Sequence, residues 1–178
     1  MQRTSQLISD AFVKEYIAIK NDISQNYENR HISYKHSFKY AILNDTQIQI
    51  FATSGTEFQI FEGDYETPVF PGKAITEARY TDFMLGAMRV KTQYDNLMKA
   101  KMAGISSAWL LVTAYYCCFF ACNEILKMRN KFLVSFDEED ITQLHFRLIG
   151  ENKSSFISTN KSMNFIGSLY AGKIKFST

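Results

Sequence analysis

Proline is nearly missing from this chain of 178 residues, which has 2, and glycine is held to 8. That excludes a collagen-like or low-complexity chain. A surplus of one charge is missing as well: 20 Lys and Arg face 18 Asp and Glu, a formal net charge of +2. No strong overall field points to nucleic acid, and no acidic tail points to disorder. Cysteine is scarce, with Cys117, Cys118 and Cys122 inside one apolar run. An odd count with adjacent members makes no disulfide framework, and without a CxxC pair or a nearby His it makes no zinc site. These read as buried thiols in a reducing setting. The opening MQRTSQLISDAFVKEY lacks the charged start, apolar run and cleavage site of a signal peptide, so a cytoplasmic chain is expected.

Glycine cradles for phosphate are absent too: there is no GxxxxGK[ST] and no GxGxxG. The GxSxG elbow and HExxH are missing. The sequence therefore implies no cofactor, no metal and no small-molecule ligand.

Aromatic residues are plentiful, at 15% of the chain, with 15 Phe, 10 Tyr and 1 Trp. Such a chain can fill a large core and keep apolar area for a partner, here expected on the hairpins and the tail. Leu7, Ala11, Phe12, Tyr16, Ile19, Ile23 and Tyr27 recur every three or four residues and predict an amphipathic helix over 3–29. Over 37–62 the apolar residues alternate: Phe38, Tyr40, Ile42, then Ile48, Ile50, then Phe58, Ile60. With Asn44-Asp45 and Ser54-Gly55 as turns, this predicts a three-stranded β-meander. Helical spacing returns over 74–102. From Met102 to Asn123 no residue is charged, and a helix is expected over about 106–129. That run is long enough to span a bilayer, but Ser, Thr, Tyr and Trp run through it, and it reads first as a buried core helix. Ser135 and Glu138 form an S-x-x-E capping box that predicts a helix over 136–147. In the tail, Phe165, Ile166, Leu169 and Tyr170 fit a helix face, while Ile174 and Phe176 fit a short strand.

The expected fold class is α+β, mostly α. It is a helical bundle around a buried central helix (106–129) with a small antiparallel β-meander (37–62). One domain covers 1–178, with 37–72 inserted after the first helix.

Arg30 and His36 could cleave RNA without metal, the His moving a proton near neutrality and the Arg stabilising charge on the phosphate. Asp137, Glu138, Glu139 and Asp140 could hold a divalent metal, though charge at a helix N-terminus is the simpler account. Asp140 with Glu151 and Lys153 mimics the D…ExK spacing of metal-dependent nucleases. Arg89, Lys91, Lys99, Lys127, Arg129 and Lys131 are candidate phosphate contacts, or solvated helix ends.

Residues 107–136 resemble the long central helix of HEPN-type domains. The resemblance is carried by Trp109, Leu110-Leu111, Tyr115-Tyr116, Phe119-Phe120 and Ile125-Leu126, and extends over about 80–150. These are helical bundles of prokaryotic toxins, CRISPR-linked ribonucleases and phage-defence systems. Active members carry Arg-x(4–6)-His after that helix; here Arg129 is followed by Ser135 and Phe136 instead. The resemblance implies a bundle fold without the usual catalytic pair. The expected function is a non-catalytic accessory or scaffold subunit that binds partner proteins in a prokaryotic defence or toxin–antitoxin assembly. Nucleic acid would be reached through a partner. The alternatives are a metal-independent ribonuclease using Arg30 and His36, and a small effector anchored in a membrane through 102–123.

Overall fold

A computed structural model describes residues 37–69, 72–156 and 162–178. All lie in a compact unit that spans 32–178. The expected 3–29 helix lies outside the described residues.

The unit is built on a six-stranded mixed sheet. The chain runs through α1 (Phe38–Asn44), β1 (Ile48–Ser54) and β2 (Glu57–Glu62) into two long helices, α2 (Lys73–Met102) and α3 (Ser107–Met128). It continues through β3 (Lys131–Phe136), α4 (Glu138–Arg147), β4 (Leu148–Ile149), a 3-10 turn (Glu151–Ser155), β5 (Met163–Tyr170) and β6 (Lys173–Ser177). The strand order is β3-β5-β6-β2-β1-β4. Every pairing is antiparallel except β1 with β4, where Ile50 faces Leu148.

The inward residues of β1, β3 and β6 alternate, as a sheet with one packed face requires. Ile48, Ile50 and Ala52 of β1, Phe132, Val134 and Phe136 of β3, and Ile174 and Phe176 of β6 are buried together under α1, α4 and the first turns of α2. Aromatic rings fill the middle: Phe58 stacks on Phe176 with centroids 4.7 Å apart and meets Phe165 edge-on at 5.2 Å. Gly167 sits against this stack, where a Cβ would come within 2.5 Å of the Phe176 ring.

The expected bundle around a buried central helix, with a small meander as an insertion, is corrected. Only the β1–β2 hairpin of the meander exists, and it lies inside the sheet between β6 and β4. The first expected strand, over Phe38 to Ile42, is helix α1. Its buried residues Phe38, Ala41 and Ile42 are three and four apart, and a run this short satisfies both periods. The sheet is completed by β3, β5 and β6. The β3 alternation, in which 132, 134 and 136 are buried and 131, 133 and 135 exposed, falls in the short stretch between the expected helices 106–129 and 136–147. The tail residues proposed for a helix face form β5, paired to β3 on one side and β6 on the other.

Two helix predictions hold in position. α2 covers the expected 74–102, and α4 the expected 136–147. The cap of α4 is two residues later than the expected Ser135–Glu138 box: Asp137 Oδ1 accepts from the Asp140 N–H and Asp140 Oδ2 accepts from the Asp137 N–H, both at 2.9 Å. Arg147 fastens the far end of α4 to the core. Its guanidinium donates to the carbonyls of Ile42, Asp45 and Ile48 at 2.5, 2.5 and 2.6 Å, closing the last turn of α1.

Candidate functional site

The sheet presents one long feature, the hairpin of α2 and α3. Gly104, with φ of 67°, makes the turn between them. The base is fixed on the sheet by Glu62, the last residue of β2. Its Oε1 accepts from the Ile75 N–H at 2.7 Å and so caps the first turn of α2. Gly72 leaves room for this carboxylate, since a Cβ there would lie 2.2 Å from Oε1.

Contacts at the base set the register of the two helices. A Cβ on Gly86 would lie 2.0 Å from Glu124 Oε1. Lys127 Nζ reaches Asp82 Oδ2 at 2.7 Å, and the Arg89 guanidinium lies over the Phe120 ring at 5.1 Å. Facing positions therefore sum to about 210. On α2 this seam is Phe83, Gly86, Val90, Gln93, Leu97 and Ala100; on α3 it is Lys127, Glu124, Phe120, Cys117, Thr113 and Leu110. The spacing alternates three and four on both helices, the heptad pattern of a coiled coil. Burial follows it: beyond the buried base, Val90, Gln93, Leu97, Ala100, Leu110, Thr113, Cys117 and Phe120 are half-buried while Leu111, Tyr115, Cys118 and Phe119 are exposed.

One polar cluster interrupts the seam. Lys127 Nζ bridges Asp82 Oδ2 and Glu124 Oε1, at 2.7 and 2.8 Å. Glu124 is buried, and its Oε2 has no hydrogen-bond partner among the described residues. Burial raises its carboxyl above the ordinary range, opposed by the Lys127 hydrogen bond and charge and assisted by the nearby Asp82 carboxylate.

The rest of α3 faces outward. Of its residues only Glu124 is buried. Leu111 is 71% exposed, Trp109 66% and Tyr115 63%; Val112, Tyr116, Phe119, Ile125 and Leu126 are also exposed. The expected buried central helix is thus corrected. Among the described residues it has one neighbour helix where burial needs three or four, and most of its circumference is exposed. The expectation of buried thiols falls with it: Cys117 is half-buried against α2, and Cys118 and Cys122 are exposed. α3 is the one helix among the described residues long and apolar enough to cross a membrane by length and composition.

Of the aromatics expected to form a partner surface on the hairpins and tail, Phe58, Phe165 and Phe176 are fully buried in the core, while Tyr170 is exposed. The surplus sits on α3, as Tyr115, Tyr116, Phe119 and Phe120 in mutual ring contact.

Arg30 and His36 lie outside the described residues. The six candidate phosphate contacts do not form one free basic patch. Lys91 pairs with Asp95 at 2.6 Å, Lys127 is held by Asp82 and Glu124, and Lys131 donates to Ser168 Oγ at 2.7 Å. Arg89 covers Phe120, Lys99 lies in the last turn of α2 and Arg129 caps α3. The acidic run 137–140 is used by the α4 cap and by the ion pair of Asp140 with Lys39. Asp140 is therefore committed away from Glu151 and Lys153, which lie in the 3-10 turn. No group of three His, Cys, Asp or Glu that could hold a metal occurs among the described residues.

Comparison of the chain with protein-family models, with curated proteins and with solved structures finds no match.

Proposed function

We propose that the chain is an assembly subunit that binds protein through the outer face of α3. The observation that carries this is the exposure of a 22-residue apolar helix along nearly its whole length. Its face is rich in Trp, Tyr and Phe, the residues that dominate protein interfaces, and its core lacks charge. The α2–α3 hairpin and the sheet hold that face in place without help from a partner.

Lipid is the competing cover, because about 33 Å of helix matches the hydrocarbon thickness of a bilayer. Two features favour protein. α2 runs beside α3 with Arg89, Lys91, Asp95, Lys99 and Lys101 at the same depths, and intramembrane charges of that kind are costly. The aromatic residues Tyr115, Tyr116, Phe119 and Phe120 sit in the middle of α3, whereas membrane helices gather Tyr and Trp at their ends. The resemblance of 107–136 to HEPN-type domains suggests a prokaryotic defence or toxin–antitoxin setting for the assembly.

The test is native size fractionation of the full chain from the cells that make it, beside Phe119→Glu. The reading expects detergent-free material well above the 20.6 kDa of one chain, collapsing to one chain in the variant. Sedimentation with membranes, released only by detergent, would contradict it.

A further inference from the structure

The outer face of α3 is a second heptad seam. Ala108, Val112, Tyr115, Phe119, Cys122 and Leu126 are spaced four, three, four, three and four, and all six are exposed. They lie on the side opposite the residues that meet α2, since a helix turns about 100° per residue. A helix with apolar heptads on two opposite sides is patterned to sit between two neighbours. α2 is one, and no described residue supplies the second.

Resting on the protein-binding reading, we propose that the second neighbour is α3 of another copy, laid antiparallel across a two-fold axis at residue 117. Two observations select this occupant. The first is size complementarity. In an antiparallel coiled coil each layer pairs positions whose numbers here sum to 234, giving Ala108 with Leu126, Val112 with Cys122, and Tyr115 with Phe119. The outer layers each set a small residue against a larger one, as close packing between facing positions requires. The inner layers, next to the axis, set Tyr on Phe, a pair suited to offset ring stacking. A parallel pairing would set Ala108 on Ala108 and Phe119 on Phe119, leaving a gap at one layer and a clash at another.

The second observation is area. The exposed parts of the seam residues Val112, Tyr115, Phe119 and Leu126, with Leu111 and Tyr116 beside them, amount to on the order of 600 Å² per chain, the lower end of the range for specific interfaces. The patch is isologous, so the same surface serves both copies. No like charges meet, because the outer seam carries none between Met102 and Asn123. The two hairpins then form a row of four helices with α3 of each copy at the centre.

Sedimentation equilibrium on the full chain in detergent-free buffer tests this. The expected mass is two chains at micromolar concentration. Phe119→Glu, with its fold checked by circular dichroism, is expected to weaken association at least about 100-fold. The arrangement is tested separately by Val112→Cys in a chain with Cys117→Ser and Cys118→Ser. Mild oxidation is expected to join it to native Cys122 of the other copy, since within one chain these positions are about 15 Å apart. Adding Cys122→Ser removes the link. A single-chain mass at hundreds of micromolar overturns the proposal, whether the face is then covered by the chain's own 3–29 segment or by nothing. Linkage of Cys122 to Cys122 without Val112→Cys overturns the antiparallel order. If the purified chain is a monomer while Phe119→Glu still releases it from a large complex in cells, the second copy is wrong and the protein-binding reading stands. Flotation with phosphatidylcholine–phosphatidylglycerol vesicles overturns both.

Discussion

Glu124 is the buried acid at the base of the hairpin. Its carboxylate is buried beside Asp82 and answered by one ammonium, Lys127. A carboxyl whose pKa is raised on folding binds more protons in the folded state. Its contribution to stability is therefore most favourable below the ordinary Glu pKa and declines as pH rises through the raised one. Glu124→Gln keeps an acceptor for Lys127 and removes the like-charge contact. Thermal unfolding is expected to show a gain of about 1 kcal/mol at neutral pH, shrinking to nothing on acidification. Arg147 is the opposite case. Burial holds its pKa below the usual value for an arginine, yet three carbonyls accept from it. Arg147→Leu leaves those carbonyls short of donors and is expected to cost about 3 kcal/mol in urea unfolding.

At the scale of elements the hairpin depends on one close approach. An Ala in place of Gly in a helix ordinarily gains about 1 kcal/mol. At Gly86 a Cβ would strike Glu124, which Lys127 pins in place. Gly86→Ala is expected to destabilise by about 1–2 kcal/mol, and to become stabilising once Glu124→Ala has opened the space; a double-mutant cycle measures the reversal. Element positions were largely legible in the sequence where a periodic run was long. α2 and α3 stand within a residue or two of the ranges that spacing indicates. Short runs misled: Phe38 to Asn44 alternates well enough for a strand and packs as a helix, because seven residues fit both periods. The strands β3 and β5 were missed, since each is buried on one face by partners distant in the chain, which local patterning cannot supply; β6 was legible from the alternation of Ile174 and Phe176. The second seam of α3 was written in the sequence as Ala108 to Leu126. Uniform hydrophobicity hid it, because a helix apolar all round shows two seams only when one of them is known to be occupied.

For the whole molecule, the sheet acts as a platform and the hairpin as the working part. In the proposed reading the uncharged run from Met102 to Asn123 is patterned for covering by a partner that adds to the sheet and α2. Trp109, the single tryptophan, lies on that surface, 66% exposed. Its fluorescence reports whether the face is covered, and by what. The most direct test is acrylamide quenching of Trp109 in the full chain as concentration is raised, with and without vesicles. The account expects quenching to fall with protein concentration, to stay high in Phe119→Glu, and to ignore lipid. Quenching that is independent of protein concentration, or that falls only when vesicles are added, would contradict it.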